Sequence, residues 1–334
     1  MTITVGLLRK WKVPDDIFRQ SPGGLGIWEN IRLVEPPETP SDYVVILNRP
    51  AERTTVMCPP QHVWAIIQEP PSEVSRHWHR GFDVYQRIFM QDPALKGRGP
   101  RYILSQPALP WLVERDYDYL MSCPVPAKEK PLSWVTSNRN DTGGHRLRMR
   151  FLGKLREQID FDLYGRGFQP LPQNEKWNGL APYRYSIAVE NFHTPYYWSE
   201  KIADCFLAWT MPIYSGSSII ENYFPKESMV RIDIRDPQTA VEQVRETIAS
   251  DRWERNLDAI SEARQLVLNR YQLFPFLAEQ IAAQEALYGG QRPAPQPITI
   301  AARTPPLRFL RMLVRRGWMH LVRDSERWRT YGLE

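Results

Sequence analysis

The sequence predicts an α/β protein that is built around mostly parallel sheets and divided into two domains. Three observations support this fold class. Short runs rich in valine, isoleucine and leucine are bounded by proline, as in strands buried on both faces. Beyond residue 131, strand-like and helix-like segments alternate at the lengths of crossover units. The 334 residues, 42% hydrophobic and 24% charged, suffice for two cores and rule out wholesale disorder.

The first domain is predicted over residues 1–130. Its strands are short and lie between prolines or polar loops. They are predicted at residues 43–47, 63–68, 101–104 and 117–121. The polar, proline-broken segment 124–132 is interpreted as the domain boundary.

The second domain is predicted over residues 131–290. Its strands are predicted at residues 132–136, 159–164, 185–189, 211–214 and 229–233, and its helices at residues 144–158, 199–210, 237–249 and 251–270. Residues 291–334 are predicted to form a proline-rich linker and a basic tail.

The positive charge of the chain is concentrated in this tail. The net charge is +5, but residues 303–334 hold eight arginines and three carboxylates, which leaves residues 1–302 neutral. A neutral body argues against a basic groove for nucleic acid, and we expect no nucleic-acid partner. Apolar residues at 307, 310, 314, 318 and 321 predict a basic amphipathic helix. We expect residues 303–329 to bind an anionic membrane surface, with packing on the body as the alternative.

The cysteines and the N-terminus give no sign of export. The three cysteines are widely spaced without a C-x-x-C pair, and the first residues lack the pattern of a signal peptide. No apolar run reaches the length of a membrane span. The sequence therefore predicts a cytoplasmic protein that can bind the inner face of the membrane peripherally.

One candidate site follows the predicted strand 185–189. Glu190 and Asn191 lie at the strand end, where parallel sheets bind ligands. Further on, Ser199 is a plausible N-cap, and Lys201 falls in the first helical turn. A cation there is unfavourable with the helix dipole unless an anion binds too. Together with Tyr197, this pattern predicts a phosphate site, the alternative being a solvated lysine.

A second candidate is the carboxylate of Glu69. It directly follows the predicted strand 63–68 in a loop fixed by proline, where a general base can be placed. Glu73 is the fallback for this role, and an ordinary loop carboxylate is the alternative. The nearby histidines, His77 and His79, lack the further ligands of a metal site.

Metal and cofactor motifs are weak or missing. Asp116 with Asp118, and Asp160 with Asp162, match an Asp-x-Asp pattern whose two carboxylates can hold a divalent ion, but the second pair alternates with apolar residues like an exposed strand face. We expect no obligatory metal, although a divalent ion is possible. The Walker loop, the Gly-x-Gly-x-x-Gly loop and the Gly-x-Ser-x-Gly elbow are absent from the sequence, which argues against kinases, dehydrogenases and hydrolases.

An ordered set of motifs resembles the C-terminal signature of glycosyltransferase family 10, the α-1,3/1,4-fucosyltransferases. These motifs are residues 134–140, 162–166, 183–191, 197–201, 211–216 and 223–226, and the segment from Glu69 resembles the family's Glu-Ser-Pro block. Similar basic tails occur in bacterial members. The resemblance implies the glycosyltransferase B type of fold, with two facing Rossmann-like domains.

The resemblance also implies an activity and a site. The enzyme would move fucose from GDP-fucose to a glycan hydroxyl with inversion, with no cofactor required. Glu69 would be the base, and the donor would be bound by Arg166, Glu190, Asn191, Tyr197, Glu200 and Lys201. Lys201, Arg166 and Tyr197 would meet the diphosphate, and Glu200 the ribose. The alternatives are a non-catalytic protein that binds glycans or nucleotide sugars on the same fold, or a family member that uses another GDP-sugar.

Overall fold

The first sheet has seven strands and is parallel except at one edge. The computed structural model describes residues 2–12, 16–71, 83–109, 111–289 and 291–302. The strand order is β2-β3-β1-β4-β6-β7-β8, and β2 is antiparallel to β3. The strands are β1 (Ile3–Arg9), β2 (Ile27–Trp28), β3 (Ile31–Val34), β4 (Tyr43–Leu47), β6 (Val63–Ile66), β7 (Arg87–Met90) and β8 (Tyr102–Leu104), while β5 (Thr54–Cys58) lies outside this sheet.

The central strands of this sheet confirm the sequence prediction. Every residue of β4 and β6 is buried, because both faces of the sheet are covered. Continuous apolar runs of this kind are what two-sided burial requires. The predicted strands at 43–47, 63–68 and 101–104 are therefore present, with ends that differ by at most two residues.

The second sheet is parallel throughout and has five strands, in the order β10-β9-β11-β12-β13. The strands are β9 (Lys130–Val135), β10 (Asp162–Tyr164), β11 (Tyr183–Val189), β12 (Met211–Ser215) and β13 (Val230–Arg231). The sequence predicts each of these strands, and the two parallel sheets together confirm the predicted α/β fold class.

Helices cover the second sheet on both faces. The α-helices of the described residues, in both domains, are α1 (Tyr117–Ser122), α2 (Gly143–Arg156), α3 (Glu200–Leu207), α4 (Pro237–Ile248), α5 (Arg252–Arg255), α6 (Leu257–Leu266) and α7 (Leu273–Glu285). The helices α2 and α4 bury their apolar sides on one face, and α3 and α6 bury theirs on the other. The predicted helix 251–270 is divided at Asn256, whose backbone is not helical, and ends in a π turn, Val267–Tyr271.

Helix α7 returns to the first sheet. The sequence assigned it to the second domain, 131–290, but its apolar side chains belong to the core under β1 and β4. Phe276 meets Phe89 edge to face, with ring centroids 5.2 Å apart. Seven of its thirteen residues are buried, more than a narrow apolar stripe provides. The first sheet covers this wide apolar surface.

Part of the predicted proline-rich linker is a strand. Residues Gln296–Ile300 form β14, which pairs antiparallel with β5. Ile300 is fully buried in the core that also contains Val56 and Cys58. Just before the strand, Arg292 bridges Asp42 and Glu285. This part of the linker is therefore held against the first domain.

The predicted strand at residues 117–121 is wrong, because this segment is helix α1. The side chain of Asp116 accepts a hydrogen bond from the Tyr119 backbone N–H at 2.8 Å, which is an N-cap. The alternation of aromatic and acidic residues suggested a strand, but Leu120 is the one helix residue that is buried. A local cap and one core contact therefore decide the structure.

Two further predictions concern membranes. In the ranges that the structure describes, none of the helices combines the length and the hydropathy needed to cross a membrane. The predicted basic amphipathic helix lies in residues 303–334, outside the described residues, so its membrane contact stays a prediction.

Candidate active site

A cleft between the two domains brings most of the predicted site residues together. Its cavity has a volume of about 550 Å³. The first domain lines it with the residues that follow β1, β4 and β6, and the second domain with those that follow β9 and β11 and with the start of α3. Glu69, Asn191, Tyr197, Glu200 and Lys201 all line this cleft. The carboxyl ends of the two parallel sheets therefore face one another here, as expected for a ligand site.

Two of the predicted donor residues do not line the cleft. Arg166 is exposed in the turn after β10, where its carbonyl accepts a hydrogen bond from the Asn138 N–H at 3.0 Å. Glu190 is fully buried behind the start of α3. Its carboxylate therefore affects the site through its contacts with Ser199 and Lys201.

The start of α3 is held by that buried carboxylate. Glu190 accepts hydrogen bonds from the Ser199 backbone N–H at 2.7 Å and from the Ser199 hydroxyl at 2.7 and 2.9 Å. Ser199 in turn caps the helix by accepting from the Lys201 N–H. This arrangement fixes the first helical turn against the end of β11.

Lys201 is a cation held between two carboxylates. Its ammonium lies 3.2 Å from Glu200 Oε1 and 3.5 Å from Glu190 Oε2, and it donates to Ser199 Oγ at 3.0 Å. Burial by itself would lower the pKa of Lys201, but the two negative charges outweigh burial and raise it. The side chain is still 20% exposed, so its charge is presented to the cleft.

The same cluster sets the charge state of its acidic and phenolic members. Burial opposes ionisation of Glu200, but the nearby Lys201 and Lys176 lower its pKa to about 2. For Tyr197, burial and then the carboxylates of Glu190 and Glu200 raise the pKa well above its ordinary value. At neutral pH Glu200 is thus an acceptor, and Tyr197 keeps its hydroxyl proton as a donor.

Glu69 stands on the opposite wall in a loop that Asn48 fixes. The side-chain oxygen of Asn48 accepts hydrogen bonds from the N–H groups of Gln68 and Glu69, at 2.8 and 3.2 Å. Burial, and then the charge of Glu200, raise the pKa of Glu69, although Lys201 and Arg139 act against this. A carboxylate with a raised pKa in a cleft is suited to accept a proton.

The sequence prediction missed two arginines that shape this site. Arg139 follows β9, lines the cleft and pairs with Asp141 at 2.7 Å. Arg148 is buried on α2, where it donates to Asn191 Oδ1 and, at 2.9 Å, to the Ser137 carbonyl. A position after a parallel strand could have signalled Arg139, but an arginine inside a helix gives no such signal for Arg148.

One glycine allows α2 to approach the cleft. An added Cβ on Gly144 would lie 1.9 Å from the carbonyl oxygen of Asn191. Any larger residue would therefore push the start of α2 away from the end of β11. Gly144 thus has a packing reason, whereas an added Cβ on Gly143 would meet no neighbouring atom within 4 Å.

Three of the four aspartates in the Asp-x-Asp pairs make structural contacts, and the fourth, Asp160, is exposed. Asp116 caps α1, and Asp118 accepts from the Gly23 N–H at 2.8 Å. Asp162 binds Lys130 and the Tyr183 hydroxyl, at 2.8 and 2.6 Å. Over the described parts of the chain, no three or more histidine, cysteine or acidic side chains converge as a metal site would need. Glu73, His77 and His79 lie outside the described residues.

A second cavity, of about 640 Å³, lies beyond the loop that follows β11. It is lined by His193 of that loop and by residues at the ends of β12 and β13 and at the start of α4, among them Asp233 and Arg235. None of the predicted site residues lines it. The interdomain cleft is therefore the candidate active site.

Comparison with known proteins shows what the second domain is similar to. Residues 125–252 match the family model described as glycosyltransferase family 10 (fucosyltransferase), C-terminal. The human 4-galactosyl-N-acetylglucosaminide 3-alpha-L-fucosyltransferase FUT6 is 31% identical over 110 residues, which cover 32% of this chain and 30% of that protein. The Bos taurus 3-galactosyl-N-acetylglucosaminide 4-alpha-L-fucosyltransferase FUT3 is 30% identical over 118 residues, 34% of this chain and 32% of the relative. The matched region thus spans about a third of the length of these curated relatives.

A solved structure extends the likeness to the whole fold. The crystal structure of an alpha1,3-fucosyltransferase superposes with a TM-score of 0.50 and 17% identity, over 87% of this chain and 91% of the other. The likeness spans both domains and confirms the predicted glycosyltransferase B type of fold.

Proposed function

Residues 125–252 belong to glycosyltransferase family 10, and from this premise we propose that the protein is an inverting fucosyltransferase. The donor is GDP-fucose, and the acceptor is a glycan hydroxyl. The observation that carries the proposal is the interdomain cleft, in which the Glu69 carboxylate lies on one wall and the Lys201 ammonium on the other.

The second-domain wall binds the donor. Lys201 and Arg139 supply positive charge for the diphosphate, and the neutral hydroxyl of Tyr197 can donate to a phosphate oxygen. The ionised Glu200 accepts from the ribose hydroxyls. Arg166 remains a candidate for the diphosphate from the neighbouring turn. Because this wall supplies its own cations, the proposal assigns no obligatory metal.

The reaction follows from the opposite placement of base and cation. The acceptor oxygen forms a bond to the anomeric carbon while the bond to the phosphate oxygen breaks on the other face, which inverts configuration. The acceptor proton passes to Glu69, and the negative charge that develops on the departing GDP is stabilised by Lys201.

A non-catalytic binding protein on the same fold is the second candidate, and a transferase with another GDP-sugar is a third. Glu69 lies opposite the donor wall and has a raised pKa, which favours catalysis because a binding protein has no use for a base.

The test is a thermal-shift series with GDP, GDP-fucose, GDP-mannose and UDP-sugars, followed by an assay of GDP release. A ligand at a hundred times its dissociation constant stabilises the fold by about 2.7 kcal/mol. We expect GDP and GDP-fucose to give the largest shifts, and galactosyl-N-acetylglucosaminides to be the first acceptors to try. Larger shifts with UDP-sugars would refute the donor assignment, and binding without turnover would favour the second candidate.

Asn48 gives a separate prediction about the positioning of the base. Its backbone has a positive φ of 59°, which glycine and aspartate tolerate. We expect Asn48→Gly to lower kcat about tenfold and to leave the donor KM unchanged, because two N–H groups lose their acceptor. Asn48→Asp keeps an acceptor oxygen and should retain most activity. A wild-type kcat in Asn48→Gly would show that the loop holds Glu69 without this contact.

A further inference from the structure

Trp11 is a large apolar side chain that the fold leaves open to the cleft. It directly follows β1 and Lys10, and it is 60% exposed. Among the most exposed large apolar residues of the described ranges, Trp11 is the one that also lines the cleft. A single exposed apolar side chain is ordinary by itself, but one that lines a ligand cleft offers an apolar contact surface to the molecule that binds there.

The backbone that carries Trp11 is held from both sides. Arg9 Nε lies 2.9 Å from Glu35 Oε2, and Lys12 binds the other oxygen of the same carboxylate. Between them, the Lys10 N–H donates to the Arg49 carbonyl at 3.0 Å. The indole therefore projects from a fixed segment, and binding a ligand on it costs little conformational entropy.

The position of Trp11 assigns it to the acceptor. It stands on the first-domain wall with Glu69, whereas the residues proposed for the donor stand on the opposite wall. An indole offers a flat apolar surface whose negative π face attracts polarised C–H groups. A pyranose ring offers such C–H groups on one face and hydroxyls at its rim. This combination allows the ring to stack while a hydroxyl stays free to reach the base.

Building on the proposed function, we infer that Trp11 is the platform on which a pyranoside acceptor stacks, and that it orients the attacking hydroxyl towards Glu69. The acceptor class is a glycan with a terminal or penultimate pyranose whose C–H face is free. Trp11 is a specificity-determining residue in this scheme, and it takes no part in proton transfer.

The experiment compares Trp11→Ala and Trp11→Phe with wild type, using galactosyl-N-acetylglucosaminides and simple methyl galactosides and N-acetylglucosaminides as acceptors. Leu25→Ala is the control, because Leu25 is 69% exposed and does not line the cleft. The readouts are the acceptor KM, the GDP-fucose KM and the hydrolysis of GDP-fucose without acceptor. We expect Trp11→Ala to raise the acceptor KM about tenfold or more. The two donor readouts should not change, and Trp11→Phe should recover most of the loss.

The possible outcomes separate this inference from the proposed function. If wild type transfers fucose and Trp11→Ala keeps the acceptor KM, the platform is refuted and the function stands. If Trp11→Ala changes the donor KM and hydrolysis as strongly as the acceptor KM, its role is structural and the platform is also refuted. Hydrolysis of GDP-fucose without transfer to any of these pyranosides refutes the acceptor class. Failure of wild type to bind GDP refutes the proposed function, and the platform with it.

Discussion

Replacing Lys201 by alanine is expected to lower kcat/KM for the donor by about 10²–10³-fold, the usual cost of removing one group that stabilises transition-state charge. The ammonium is the cation that Glu190 and Glu200 hold at the start of α3, and it faces the cleft. Without this positive charge, the negative charges of the departing diphosphate and of the two carboxylates repel one another more strongly. The GDP dissociation constant should rise as well, and calorimetry or a thermal shift will measure it.

Two controls separate this loss from unfolding. Removing one partner of a buried ion pair destabilises a protein, so the melting temperature of Lys201→Ala should fall as well. Lys201→Arg keeps the charge and should bind GDP better than the alanine variant. Lys154→Ala removes an exposed lysine of α2 that pairs with Glu157, outside the motifs named above, and it should behave as wild type. Undiminished GDP affinity in a folded Lys201→Ala would show that the diphosphate lies elsewhere.

Replacing Glu69 by glutamine is expected to lower kcat by about 10²–10⁴-fold, the usual contribution of a general base. Glutamine keeps the size of the side chain and the backbone bonds to Asn48, so GDP should bind as before. Equal transfer by wild type and Glu69→Gln would refute the assignment of the base. Glu227→Gln, on an exposed carboxylate, is the matched control.

The pH profile provides an independent check on Glu69. Burial raises its pKa, so the carboxylate becomes protonated at a higher pH than an ordinary glutamate. The base is active only when ionised, so kcat/KM should fall as the pH falls through this raised pKa. We expect the acid limb to lie above the usual range of glutamate and to disappear from the residual activity of Glu69→Gln.

The fold was largely predictable where local pattern and burial agree. Both faces of β4 and β6 are covered, so their continuous apolar runs could be interpreted without the structure. Helix α1 and helix α7 were not predictable in the same way. A single cap at Asp116 decides the first, and a distant sheet decides where the second packs.

The site was predictable in its parts, since polar residues at strand ends and a lysine at a helix start are local signals. Glu69, Tyr197, Glu200 and Lys201 therefore appeared in the sequence analysis, and all of them line one cleft. Arg139 and Trp11 line it too but were missed. The position of Arg139 after a parallel strand could have signalled it, whereas Trp11 follows β1, a strand that the sequence did not predict.

The sequence by itself determined the parallel α/β class, the order of the strands and helices along the second domain, and the residue types at the strand ends. These properties depend on periodicity, caps and turns, which act within a few residues. Only the tertiary structure decided that Glu190 lies buried behind Lys201 and that Arg166 stays outside the cleft. It also decided that Asn48 holds the loop of Glu69, 21 residues away. Asn48 and Glu69 follow neighbouring strands of the first sheet, and Glu190 and Lys201 meet where β11 and α3 pack within the second domain. Such contacts depend on how strands and helices that are distant in the sequence assemble, and no short-range pattern encodes that arrangement.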